Sequence, residues 1–142
     1  MEHPKSKGDR STLAIMLALH DAGYELLVPF GENTRYDFVI DDVLRLARVQ
    51  CKTGRLRKGG VIFSACSSYA HHPNPKMVTR SYLGQIDYFA VFCLDTGVSY
   101  LIPIEDAPVT RRGKLRIDPP RINQRVGVRF AADYEIRPRS AN

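Results

Sequence analysis

An α/β fold built on a mixed sheet is what this sequence predicts, and three observations carry the prediction. Near the N-terminus Leu13, Met16, Leu17 and His20 recur at the three- and four-residue spacing of a helix. Short segments rich in Val, Leu and Ile follow, each bounded by turn residues, and these read as strands. Tyr88–Leu94 (YFAVFCL) is apolar throughout, as in a strand buried on both faces. A helix, then antiparallel strands, then a short helix and a buried strand implies mixed strand directions.

The elements follow in chain order. The helix is expected from about Asp9 to Asp21; Asp9 or Ser11 can cap its start by accepting a backbone N–H, and Gly23 supplies its stop. Glu25–Phe30 reads as a strand ended by Pro29 and Gly31, and Tyr36–Ile40 and Leu46–Thr53 as two more. Val61–Cys66 continues the sheet beyond the Gly59-Gly60 break. Lys76–Gln85 is ambiguous and is read as a short helix. Tyr88–Leu94 and Val98–Pro103 suggest a hairpin through the turn Asp95-Thr96-Gly97. The tail from Val109 is basic, with weak strands near Leu115–Ile117 and Val126–Phe130.

The 142 residues, 44% of them apolar, fit one domain spanning residues 1–142, with residues 1–6 and 138–142 expected to fray. No apolar stretch is long enough to span a membrane, and no signal-type block follows the N-terminus, so an intracellular, cytoplasmic protein is expected. The three cysteines, Cys51, Cys66 and Cys93, are odd in number and lack metal-site spacing, which favours reduced, buried thiols. The net charge of +6 is uneven: residues 1–54 hold seven basic and eight acidic side chains, residues 55–142 fourteen and seven. A basic excess of that kind suits a polyanion.

The chemistry gathers between Tyr36 and Lys58 (YDFVIDDVLRLARVQCKTGRLRK). Asp37 opens one apolar run, and a second run ends in Gln50-Cys51-Lys52 before the cluster Arg55, Arg57 and Lys58. Side chains alternate along a strand, so Arg48, Gln50 and Lys52 share one face while Ala47, Val49 and Cys51 turn to the core. A tight turn at Asp41-Asp42 would leave Gln50 about 13 Å from the position opposite Asp37, at ~3.3 Å per residue. Direct opposition requires a loop of Asp42–Arg45, and that wider loop, or a bulge with the same effect, is expected. An acid, an amide oxygen and a lysine on one hairpin face can hold a hydrated divalent cation against a phosphodiester.

Plainer readings exist for each residue. Asp37 can begin a strand and pair with Arg35 or Arg48, and Gln50 and Lys52 can be an ordinary exposed face. Arg55, Arg57 and Lys58 can be a solvated turn; their place just past Lys52 favours phosphate contact, which positions rather than specifies. Ser67, Ser68, Tyr69, His71 and His72 form a polar loop, but Cys66 with either histidine finds no second ligand pair for zinc. Arg111, Arg112, Lys114, Arg121 and Arg125 divide between nucleic acid and solvent, and Asn123 and Gln124 are of the type that reads base edges.

Order, spacing and flanks together resemble the PD-(D/E)XK nuclease superfamily. The resemblance runs from Lys7-Gly8-Asp9 through the hairpin to Tyr82-Leu83-Gly84-Gln85-Ile86-Asp87-Tyr88 and Tyr100-Leu101-Ile102-Pro103. It implies a restriction-endonuclease-like mixed sheet core with flanking helices. The Gln-x-Lys form is similar to the branch of cyanobacterial group I intron homing endonucleases, in which glutamine replaces the second acid. On that resemblance Asp37 is the metal-binding aspartate, Gln50 the variant second position, Lys52 the catalytic lysine and the Cys51 carbonyl a main-chain ligand. The implied ion is Mg²⁺, with Mn²⁺ able to substitute, and the implied chemistry is phosphodiester hydrolysis in which Lys52 orients the attacking water. DNA would be met by Arg48, Arg55, Arg57 and Lys58, and the protein would be nucleoid-associated when bound. A homo-oligomer, dimer or tetramer, is implied because a small protomer carries one site.

There is one departure. The family's helix glutamate falls on Thr12, with Ser11 beside it, which leaves Asp37 as the assured carboxylate. Asp9 and Glu32 are the nearest acids able to compensate, Asp9 being read first as a helix cap. Two alternatives therefore stand beside the homing-type endonuclease: a structure-selective junction resolvase, and a DNA-binding protein that kept the fold and lost cleavage.

Overall fold

A computed structural model describes residues 3–31, 33–70, 77–107, 112–118 and 128–138. Helix α1 (Pro4–Asp21) begins earlier than the pattern suggested. Proline suits a first helical turn, where its fixed φ fits and its missing N–H has no partner to lose. His3 is the cap: its Nδ1 accepts from the Lys5 N–H at 3.1 Å. Asp9 therefore lies inside the helix and caps nothing. The buried face is also different from the expected stripe: Ser11, Ile15 and Leu19 meet the sheet, whereas Leu13 and Leu17 are 68% and 61% exposed. The four-residue spacing of Ile15 and Leu19 is enough for this contact, and the buried Ser11 hydroxyl is satisfied by the Thr53 hydroxyl at 2.6 Å.

The strands are β1 (Glu25–Leu27), β2 (Phe38–Asp41), β3 (Leu46–Arg57), β4 (Gly60–Ser64), β5 (Cys66–Ala70), β6 (Met77–Ser81), β7 (Tyr88–Cys93), β8 (Ser99–Pro103) and β9 (Arg112–Arg116). Seven of them form one mixed sheet, while β5 and β6 pair separately as an antiparallel ribbon. The β3–β7 pair is parallel and the other pairs are antiparallel. The expected short helix over Lys76–Gln85 is absent: Met77–Ser81 is β6, and a turn at Leu83–Gln85 follows, with Gly84 at φ +77°. Pairing with β5 gives β6 its backbone partners, and its Val-Thr pair is β-branched and favours a strand. Of the weak strand expected at Val126–Phe130, residues 126 and 127 lie outside the described residues. Phe130 makes an isolated parallel bridge to Arg116 and opens a 3₁₀ turn, Ala131–Asp133.

Two apolar layers flank the sheet. Ile15 and Leu19 of α1 pack on Phe38, Ile40, Ala47, Val49 and Ala90. On the opposite face Phe63, Tyr82, Ile86, Phe89, Val91 and Ile102 form the second layer. Cys51, Cys66 and Cys93 are buried and unpaired. No helix among the described residues is long and apolar enough to cross a membrane.

Candidate functional site

The site is a notch in the sheet. Strand β3 carries β7 along one edge from Val49 to Gly54. Along its other edge β2 ends at the Phe38↔Val49 pair, and β4 begins only at Arg55↔Ile62. Between them, among the described residues, the β3 backbone has no neighbouring strand on that edge. The last β2–β3 pair at the turn is Asp41↔Leu46, so the hairpin loop is Asp42–Arg45, the wider loop that the spacing argument required. Three side-chain bonds hold the loop: the Asp41 carboxylate accepts from Val43 N at 2.9 Å, and Asp42 accepts from Leu44 N and Arg45 N. Such local bonds are why Asp favours turns.

This register puts Asp37 across from Gln50. The Asp37 N–H donates to Val49 O at 2.8 Å, and its Oδ2 accepts from Cys51 N at 2.7 Å. A side chain thus completes the ladder where the partner strand has ended. The N–H and C=O of one strand residue point to the same edge, so the Cys51 carbonyl also faces the notch. The Gln50 amide nitrogen leans to that carbonyl at 3.4 Å. Lys52 donates to the Tyr82 phenol oxygen at 3.2 Å and to Cys66 O at 3.4 Å, with its ammonium 4.7 Å from the Tyr82 ring centre. The same ring also meets the Arg35 guanidinium, which lies 3.9 Å from its centre and is held by Gln85 and Ser81 O.

Burial pushes the Asp37 carboxyl above its ordinary value; hydrogen bonds from the Cys51 backbone and thiol, and the Lys52 charge, offset this only in part. Burial first, then the Asp37 charge, drive the Cys51 thiol far up. It is a neutral thiol at physiological pH, so oxygen, not sulfur, is what Cys51 offers a hard cation. Thr12 reaches the same thiol from α1, and its hydroxyl also donates to Gly8 O at 3.1 Å. The helix position that the resemblance assigns to a glutamate is therefore beside the Cys51 thiol, with a hydroxyl in place of a carboxylate.

Other expected residues fall elsewhere. Arg48 is tied to Asp87, whose Oδ2 accepts from its backbone N at 2.7 Å and its Nε at 3.1 Å. Asp9 is exposed and shares the outer face of α1 with Leu13 and Leu17, away from Asp37. Glu32, His71, His72, Arg111, Arg121, Asn123, Gln124 and Arg125 lie outside the described residues. Arg55 and Arg57 belong to the end of β3, and Lys58 starts the turn that follows. Tyr82 was missed: nothing about a tyrosine in a turn-rich stretch marks it as the partner of a lysine thirty residues earlier.

Oxygen donors make up the set at the notch: the second Asp37 oxygen, the Cys51 carbonyl and the Gln50 amide. These are what Mg²⁺ takes while keeping several waters. Among the described residues no group of three His, Cys, Asp or Glu forms a rival cluster.

A family model described as PD-(D/E)XK endonuclease matches residues 2–137. Among solved structures, a bacterial homing endonuclease, I-Ssp6803I, superposes with a TM-score of 0.69 at 23% identity, covering 94% of this chain and 89% of that one. At that identity the likeness speaks for the restriction-endonuclease-like fold. No match is found among curated proteins.

Proposed function

This chain belongs to the PD-(D/E)XK endonuclease family, and from that membership we propose that it is a metal-dependent DNA endonuclease acting through Asp37, Gln50 and Lys52. The observation that supports the reading is the notch in β3, an open strand edge where the Asp37 carboxylate accepts from Cys51 N and feels the charge of Lys52. Asp37, the Cys51 carbonyl and the Gln50 amide oxygen would hold Mg²⁺ or Mn²⁺. When bound, such an ion supplies charge stabilisation at the scissile phosphate and makes water a better nucleophile. Lys52 orients that water and stabilises the charge that develops on the phosphate oxygens. Tyr82 keeps the lysine aimed, since its phenol oxygen fixes one ammonium proton. Arg55, Arg57 and Lys58 supply phosphate contacts beside the notch. Arg48, by contrast, braces the start of β3 against Asp87.

Double-strand cleavage by so small a protomer calls for at least two copies. Exposed Leu13 and Leu17 on α1 give apolar surface for such an assembly. Thr12 favours a second reading, DNA binding without cleavage, because ligand charge sets cation affinity and Asp37 is the one carboxylate of the notch among the described residues.

Plasmid nicking with Mg²⁺ or Mn²⁺ decides between them. Wild type should nick, and Asp37→Ala and Lys52→Ala should each lose activity by about 100-fold or more, on the order of what a transition-state charge contact supplies. Nicking unaffected by either substitution removes the site. Binding without nicking under both ions favours the inactive protein, and cleavage confined to four-way junctions favours a resolvase.

A further inference from the structure

Beyond the notch, the three-stranded extension made by the end of β3, β4 and β9 has one face that packs into the core and one that carries cations. Val61, Phe63 and Leu115 take the first, with the exposed Leu56 at its rim. The register Arg55↔Ile62↔Lys114 and Ser64↔Arg112 puts Arg55, Arg57, Arg112 and Lys114 on the second, since paired residues share a face and alternate residues repeat it. A groove on this face is lined by Arg55, Arg57, Lys58, Ile62, Arg112 and Lys114, so five of its six residues are cationic.

None of these cations has a carboxylate partner among the described residues. The acids near the face are engaged elsewhere: Asp118 has its side chain against Gly59, and Asp95 accepts from Leu56 N at 2.7 Å. Gathering unpaired like charges destabilises the folded state unless a polyanion uses them. Their layout also discriminates among anions. The β3 and β9 rows lie about 10 Å apart with a neutral row of Gly60, Ile62 and Ser64 between, from strand spacings of about 5 Å. Two separated rows suit the successive phosphates of a duplex rather than a single small anion, and β-ribbons do enter DNA grooves.

We infer that this face carries the phosphate contacts of Arg55, Arg57 and Lys58 across to β9, where Arg112 and Lys114 grip further phosphates of a duplex DNA that flank the notch. The inference rests on the DNA endonuclease reading, since the notch begins where this face begins, at Arg55↔Ile62.

Its test is the salt dependence of binding to a labelled random-sequence duplex. Compared are wild type, Arg112→Gln/Lys114→Gln, and Arg137→Gln, which removes a cation paired with Glu135 beside the opposite edge of the sheet. The double variant should bind about tenfold more weakly at low salt, and its slope of log Kd against log salt should fall by about two, one for each phosphate that is no longer neutralised. Arg137→Gln should leave both unchanged. An unchanged slope in the double variant overturns the inference, as does an equal loss in Arg137→Gln, which would mean bulk charge alone. Tighter binding to anionic vesicles than to duplex, by a surface the double variant lacks, overturns it in favour of a membrane. Wild type that binds with the expected slope yet never nicks upholds the surface while the nuclease reading fails.

Discussion

Asp37 carries a negative charge in a place that disfavours it. Its carboxyl is raised above the ordinary value by burial, against the pull of Cys51 and Lys52. In the cation-free protein the folded state therefore holds the Asp37 proton more tightly than the unfolded chain does. The associated stability is full below the unfolded value of 3.8 and is lost as pH rises through the raised folded value. Asp37→Asn, which can still accept from Cys51 N but cannot ionise, should flatten that slope in thermal melts with chelator present while abolishing cleavage. The Cys51 amide resonance offers a direct titration of Asp37, because the two share a hydrogen bond. A steeper pH dependence in Asp37→Asn than in wild type would contradict this account. Thr12 supports a gain-of-function counterpart. A carboxylate there would sit by the Cys51 thiol and Asp37, so Thr12→Glu should tighten divalent-cation binding about tenfold in titration calorimetry, since ligand charge count sets affinity. The Asp42–Arg45 loop, which brings Asp37 to the level of Gln50, was legible because alternation and loop length are local rules. The burial of Asp37 and the Tyr82–Lys52 contact were not, since each depends on chain segments far apart in sequence.

Strand β3 organises the elements around it, and its beginning is fastened by Asp87. Burial alone would raise the Asp87 carboxyl, but hydrogen bonds from the Arg48 side chain and backbone, then the Arg48 and Arg45 charges, hold it below its ordinary value. A depressed acid contributes stability that is present above the unfolded value of 3.8 and is lost as pH falls through the lowered folded value. Asp87→Asn should cost about 2 kcal/mol at neutral pH, as charged hydrogen bonds do, and the difference from wild type should vanish in strong acid, as read by urea titration. Further along, β9 lies close to β4 only because Gly113 faces Phe63: a Cβ there would come within 2.3 Å of the ring. Gly113→Ala should lose about 1–3 kcal/mol of unfolding free energy, the range for overpacking. A loss below a few tenths would show that the ring moves aside freely. Elements with strong periods or continuous apolar runs, α1 and β7 among them, were legible; the start of α1 was not, because a histidine cap followed by proline is a rarer signal than Asp or Ser. The β5–β6 ribbon escaped notice because β6 gains its conformation from a partner.

For the whole molecule, a basic C-terminal part and an N-terminal part of nearly zero net charge were visible in composition, but not that Arg55, Arg57, Arg112 and Lys114 would share one face of a three-stranded extension. Pleating sorts Arg55 and Arg57 from Leu56, and the β4–β9 register then adds Arg112 and Lys114 to the same side. Light scattering should find at least a dimer in solution if the exposed Leu13 and Leu17 are covered by a second copy; a monomer at high concentration would leave that surface to other uses. One last consequence comes from β7. Its Ala90 belongs to the layer under α1, while Phe89 and Val91 belong to the layer on the far side. A wall common to two rooms cannot fall in one of them alone, so heat should disassemble both layers together, giving a single calorimetric peak even for variants weakened on one side only.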